Sequence, residues 1–360
     1  MEGRNELSYP RLYIDKRKVF ENARFVVSIC KNLGIEVVGV TKATCANRDV
    51  VHAMLAAGMS SLGDSRIKNI ARLKKDFSGI KTMMLRIPSI SEAEMIVAYA
   101  DCSLVSEIST VKELNRQAHV LGKKHEIILM IELGDLREGI MPEDVIEFLK
   151  DCSRLDNIKV TGIGTNLACY GGLIPTVKIL MKLVEIKIKA SVNFGIDLEI
   201  ISGGSSSSLP LVYEGTIPGE VNQLRIGESI LLGVNVIDRK PFSGLHLDAF
   251  VIEVEVIEFK KKPSKPIGNI GMDAFGSIPL FDDKGEMYRV ICAIGRQDAV
   301  LEGLRPMDHR LEVLGGSSDH LIMAVTDGLD VRVGDVIRFI PNYSALLAAF
   351  TSDYVEKVVI

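Results

Sequence analysis

Several things are missing from this sequence, and each absence removes a class of protein. The six cysteines, Cys30, Cys45, Cys102, Cys152, Cys169 and Cys292, form no C-x-x-C pair and no metal spacing with histidine. That excludes a disulfide framework or a zinc ribbon, calls for no metal, and predicts reduced, mostly buried thiols in a cytoplasmic protein. No run reaches the ~18 apolar residues that a bilayer-spanning helix needs. The start, Met1-Glu2-Gly3-Arg4-Asn5-Glu6, is polar and carries no apolar signal segment. Neither sign of charge dominates, the net charge being −4, so neither nucleic acid nor an anionic membrane is an expected partner. The densest basic run, Lys260-Lys261-Lys262 before Pro263, reads as a solvated turn. Internal repeats are absent, and Ser205–Ser208 is the one low-complexity tract.

What is present is an ordinary globular composition, 47% apolar and 25% charged, over 360 residues, enough for two domains. Eight apolar, β-branched strands are predicted: Glu36–Thr41, Ser61–Gly63, Thr82–Ile87, Ser103–Ser106, Glu126–Leu133, Lys159–Gly164, Leu198–Ser202 and Gln223–Ile226. Helix-period segments lie between them, such as Asp49–Gly58, with Gly58 as its cap, and Thr110–Ala118, closed by Gly122. Eight βα units predict an α/β fold, a TIM (β/α)8 barrel. From about Leu245 the rhythm changes to alternating strands: Ala249–Phe259, Met287–Ile294, Leu311–Leu314, Leu321–Val325 and Val336–Ile340. The expected domains are therefore a barrel over 10–235 and a C-terminal β-rich domain over 236–360, with which the strand near 11–15 can pack.

Three segments at strand ends carry chemistry. Lys42 follows the first barrel strand, Ser202-Gly203-Gly204-Ser205-Ser206 follows the seventh, and Arg225-Ile226-Gly227-Glu228 ends the eighth. In a TIM barrel all three would open at the active-site face, and the loops after strands seven and eight often hold phosphate. Glycines let backbone approach an anion, and N–H groups with serine hydroxyls can hold it, although a flexible loop has the same composition. A lysine in a partly desolvated pocket loses proton affinity and can form a Schiff base with an aldehyde cofactor. Lysine, anion cradle and Arg-x-Gly turn together suggest a pyridoxal phosphate (PLP) enzyme. Arg225 would leave the pyridine nitrogen of that cofactor unprotonated, a weak electron sink that suits a racemase better than a transaminase. The alternative is an ion pair between Arg225 and an acid such as Glu228. Arg137, after strand five, can fix a phenolate or carboxylate or stand as a solvated loop arginine. Asn166, after strand six, can touch cofactor or substrate or cap the next segment.

The motifs Val-Thr-Lys42, Gly-Asp-Leu-Arg137-Glu-Gly-Ile, Ser202-Gly-Gly-Ser-Ser and Arg225-Ile-Gly resemble the PLP-dependent alanine racemase family over nearly the whole chain. Ile-Gly-Met-Asp273-Ala-Phe-Gly, Ile-Gly-Arg296-Gln-Asp298 and Ser-Ser-Asp319-His320-Leu look most like its ornithine racemase branch. The resemblance implies interconversion of L- and D-ornithine or another basic amino acid, with Lys42 as Schiff-base lysine and one of two bases. It also implies Arg225 on the pyridine nitrogen, Ser202, Gly204, Ser205, Ser206, Gly227 and Glu228 around the phosphate, and Arg137 and Asn166 on cofactor or substrate. A two-fold homodimer is implied, the β domain of one subunit completing the partner's barrel mouth.

The chain also departs from that family. Ala46 stands where the family has a tyrosine four residues after the lysine, and Asn166 stands where it stacks a histidine on the ring. The Gly-Tyr-Ala-Asp-Gly motif that supplies the second base is absent. A two-base racemase needs a proton acceptor on each face, and the candidates are Tyr343, His320, Asp273 and Cys45. Asp273, Asp298 and Asp319 can instead receive a cationic side chain. The competing readings are an alanine or broad-specificity racemase, a decarboxylase or D-threonine-type aldolase on the same scaffold, a PLP carrier without turnover, and unrelated phosphate chemistry.

Overall fold

The computed structural model describes residues 8–326 and 328–360, so the polar start Met1–Glu6 lies outside the described residues. The chain divides into two compact units, one over Arg17–Leu247 and one comprising the described residues up to Lys16 with Asp248–Ile360.

Strand β1 (Arg11–Ile14) belongs to the second unit. In the first unit eight strands close into a parallel barrel. They are β2 (Glu36–Val40), β3 (Ser61–Asp64), β4 (Lys81–Met84), β5 (Cys102–Val105), β6 (His125–Met130), β7 (Ile158–Gly164), β8 (Ile200–Ser202) and β9 (Gln223–Ile226). Each pairs in parallel with the next, and β9 returns to pair with β2. Every residue of β3, β5 and β9 is buried, as expected of parallel strands covered on both faces. A core cluster of Val38, Met83, Cys102, Leu104, Ile128 and Met130 packs among these strands. The connecting helices follow their apolar period. Arg48–Ala56 buries Val50, Val51, Ala53 and Met54 and is capped by Asn47, whose side chain accepts from Asp49 N and Val50 N. It ends at Ala56, and Gly58, expected to close it, follows at φ +100° with its N–H donating to Leu55 O at 3.0 Å.

The unit edges differ from those drawn on the sequence. Residues 236–247 stay with the barrel because Phe242 N donates to Gly233 O at 2.8 Å and Asn22 grips His246 from both sides, donating to its carbonyl at 3.0 Å and accepting from its N–H at 2.7 Å. At the other end, β1 lies in the second unit, the placement the sequence had allowed, with two strand partners there.

That unit is an eight-stranded sheet. It contains β10 (Phe250–Pro263), β11 (Glu286–Cys292), β12 (Leu304–Pro306), β13 (Leu311–Gly316), β14 (Leu321–Val325), β15 (Val336–Pro341) and β16 (Glu356–Val359). The order is β12-β15-β10-β11-β14-β13, with β1 antiparallel to β10 and parallel to β16. Lys260–Lys262 is strand, not turn: it pairs with Met287–Arg289, and Lys260 and Lys261 meet Glu258 and Glu286 at 3.0 and 2.7 Å. The late helix Tyr343–Thr351 is capped by Asn342, which accepts from Ala345 N at 3.0 Å.

Where β5 and β6 begin, His125 is buried with Nε2 2.8 Å from Ser103 Oγ. Burial pulls its pKa down to about 4, Lys123 pushing the same way and Asp101 against. The unfolded chain therefore binds a proton near pH 6.5 that the folded barrel refuses. This component of stability is present above pH ~6.5 and is lost as pH falls toward 4, about 2 kcal/mol of it by pH 5. Urea unfolding at pH 7 and 5 is expected to show that loss in the wild type and not in His125→Gln. Equal losses in both would contradict a buried neutral imidazole.

Candidate active site

β2 runs out at Val40, and Thr41 turns the chain. Its N–H donates to Gly63 O at 3.0 Å and its Oγ1 to Asp64 Oδ2 at 2.7 Å, so the end of β3 holds the base of the next residue. That residue, Lys42, opens a single 3-10 turn through Thr44, after which Cys45 and Ala46 sit in left-handed conformations at φ 49° and 50°. Lys42 is half-buried, and among the described residues its ammonium has neither a hydrogen bond nor an ion pair. Burial lowers its pKa, and Arg137 lowers it further; Cys169, Asp64 and Glu228 pull the other way. The carboxyl of Asp64 is raised by burial, against hydrogen bonds from Thr41, Arg66 N and Asn69. A shielded amine without a partner, part of which is neutral at lower pH than an ordinary lysine's, is a nucleophile toward an aldehyde.

Beyond Ser202, the end of β8, the serine tract is ordered by its own hydroxyls. Ser205 Oγ accepts from Ser207 N at 3.4 Å, Ser207 Oγ donates to Leu167 O at 3.0 Å, and Ser208 Oγ donates to Gly203 O at 2.7 Å. Ser206 Oγ accepts from Gly227 N at 3.4 Å and Ser229 N at 3.3 Å, tying this turn to the one after β9. Gly204 has φ +112°, and a Cβ there would lie 2.8 Å from Ser208 Oγ. Two adjacent strand ends thus present a hydrogen-bonded, hydroxyl-rich turn of a composition suited to an anion.

Arg225 lies within β9, as the predicted strand Gln223–Ile226 has it, and its side chain is buried. It donates to Ser202 Oγ, to Thr165 O at 2.6 Å and to Asn166 Oδ1 at 3.5 Å. Burial lowers its pKa from 12.5 to about 10, so it stays cationic at neutral pH; Cys169 and Glu138 favour the cation and Arg137 opposes it. The sequence offered Glu228 as its partner, but Glu228 pairs with Arg239, and burial raises the Glu228 carboxyl in spite of that pair. Asn166 caps no helix. It is buried, donates to Glu138 Oε1 at 2.9 Å, and accepts weakly from Cys169 Sγ at 3.8 Å. Arg137 is exposed but not merely solvated, since its guanidinium forks onto Glu138. Asp135, buried, accepts from the N–H groups of Cys169, Tyr170 and Leu173 at 3.2, 3.0 and 3.3 Å and joins the loops after β6 and β7.

The strand ends of the barrel therefore gather Lys42, Arg137, Asn166, Ser202, Gly204, Ser205, Ser206, Arg225, Gly227 and Glu228. Asp64, Asp135 and Glu138 join them without having been singled out. Asp64 braces the turn that carries Lys42, Asp135 joins two loops, and asking what neutralises Arg137 and Arg225 would have found Glu138. Asp273, His320, Tyr343, Asp298 and Asp319 belong to the β-rich unit. There Asp273 accepts from Phe275 N and Ser277 N, both at 2.9 Å, and His320 Nδ1 lies 2.8 Å from Asp319 Oδ1. Tyr343 is half-buried as the first residue of its helix, and Asp298 is buried with Ser352 Oγ donating to it at 2.9 Å. Gly204→Ala is expected to lower the urea midpoint of unfolding, by an added Cβ against Ser208 Oγ in a left-handed turn. An unchanged midpoint would contradict a closely packed serine turn.

The family model described as "Alanine racemase, N-terminal domain" matches residues 14–235. An ornithine racemase of Acetoanaerobium sticklandii is 44% identical over 97% of this chain and 99% of its own length. A lysine racemase of Thermotoga maritima is also 44% identical, over 97% of this chain and 98% of its own. Among solved structures, the alanine racemase from Streptomyces coelicolor A3(2) superposes with a TM-score of 0.72 at 16% identity, over 98% of each chain, a likeness of fold. With a matching barrel, a matching β-rich unit and relatives aligned almost end to end, the chain belongs to the alanine racemase family.

Proposed function

We propose that this protein is a PLP-dependent amino-acid racemase that interconverts the L and D forms of ornithine or another basic amino acid. The observation that carries the reading is Lys42: an amine with no partner among the described residues, its pKa lowered, set near an anion cradle and a buried guanidinium. Relatives named as ornithine and lysine racemases, each matched along its length, support a basic substrate.

The residues present fit the cofactor. Ser202, Gly204, Ser205 and Ser206 would hold its phosphate with Gly227 and Glu228, although the Gly227 N–H is already given to Ser206 Oγ. When bound, PLP withdraws electrons from the substrate α-carbon and makes its proton acidic. Lys42 Nζ then takes or returns that proton on one face, which its lowered pKa favours near neutral pH. Arg225, cationic and with its donors directed to Ser202 and Thr165, offers no proton acceptor and keeps the electron sink weak. Arg137 and Asn166 line the remaining side of the mouth and would take the substrate carboxylate or the cofactor phenolate.

We assign the opposite-face proton to Asp273, His320 or Tyr343 of a second subunit in a homodimer. The exposed apolar side chains Ile267, Met272, Phe275, Ile278 and Leu280, close in sequence, support this, being apolar surface that association would cover. Asp273 and Asp319 also remain as readers of a cationic substrate side chain, whereas Asp298 is committed to Ser352. Six thiols, none joined in a disulfide, suit a reducing cytoplasm.

PLP-loaded protein in D2O with L-ornithine is expected to exchange the α-proton and lose optical rotation together, faster than with L-alanine, with L-lysine and L-arginine run alongside. Absence of exchange with all four, despite bound PLP, would contradict racemisation.

A further inference from the structure

Glu138 stands between two arginines. Arg137 forks onto both of its carboxylate oxygens, and Asn166 Nδ2 donates to Oε1 at 2.9 Å. The other end of that amide, Asn166 Oδ1, meets Arg225 at 3.5 Å, and the charge of Glu138 favours the Arg225 cation. Its backbone is held too. Gly139 has φ +154°, and a Cβ there would fall 2.3 Å from Glu132 N, so only glycine lets the chain lie so close to the exit of β6. Glu138 itself is half-buried, where a charge acts through less water than at the surface.

We infer that Glu138 is a positioning residue: it aims the Arg137 guanidinium and, through Asn166, braces Arg225, setting the field around the amine of Lys42. The inference rests on the PLP reading above. Removing the carboxylate charge makes the mouth more positive, so any cationic form of the bound cofactor loses its proton at lower pH. Arg137, freed of its fork, then binds the substrate less well.

The test uses PLP-loaded wild type, Glu138→Gln, Glu138→Asp, Arg137→Leu and the Gln/Leu double variant. In Glu138→Gln the pH midpoint of the visible band is expected to fall by about half a unit or more. KM for the amino acid should rise about tenfold with kcat within about threefold. Glu138→Asp, which keeps the charge at shorter reach, should hold the midpoint and raise KM. In the Arg137→Leu background the KM effect of Glu138→Gln should vanish. An unchanged midpoint in Glu138→Gln, or KM effects that multiply in the double variant, would overturn the role; if that variant misfolds, a shifted midpoint in Glu138→Asp does so. A wild type that develops no visible band overturns the cofactor reading, and this inference with it.

Discussion

Burying Arg225 inside a parallel barrel is the constraint on which the site depends. A guanidinium removed from water costs several kcal/mol unless its donors are met and its charge is answered. Ser202 and the Thr165 carbonyl meet the donors, and Asn166 links it to Glu138, which answers the charge. These partners come from the ends of β7 and β8 and the loop after β6, so one buried cation fixes how three neighbouring strand ends are arranged. The serine turn follows from it directly, since Arg225 N donates to Gly204 O at 3.0 Å. Lys42, just beyond the neighbouring β2, has no partner of its own among the described residues, and that combination makes the amine available for chemistry.

The eight barrel strands were legible because parallel strands buried on both faces read as apolar, β-branched runs. Lys42, the serine tract and Arg225 were legible for the same reason: each sits where such a run stops. Less was visible where meaning depends on contacts distant in sequence. The unit edge near 247 is set by Asn22 gripping His246, and no local pattern announces it. Lys260–Lys262 resembled a turn because the strand it pairs with, Met287–Arg289, is distant in sequence. β12 and β16 are too short to show a period. Glu138 had no motif of its own and takes its meaning from the two arginines beside it.

In the proposed racemisation the barrel would supply one face of a two-sided reaction. The groups put forward for the other face lie in the β-rich unit, in local hydrogen bonds that fix Asp273 and pair His320 with Asp319. In the proposed reading the barrel would hold cofactor and first base, and a second subunit would supply what the missing tyrosine motif would have given. Asn166 in place of a stacked histidine fits the same economy: its amide serves the Arg225–Glu138 link.

The central claim is that Lys42 carries the cofactor. Borohydride reduction of the PLP-loaded protein, followed by digestion and mass spectrometry, tests it directly. The account predicts one phosphopyridoxyl mass increment, on the peptide containing Lys42, lost in Lys42→Ala. An increment on another lysine, or a reducible adduct that survives Lys42→Ala, would contradict it.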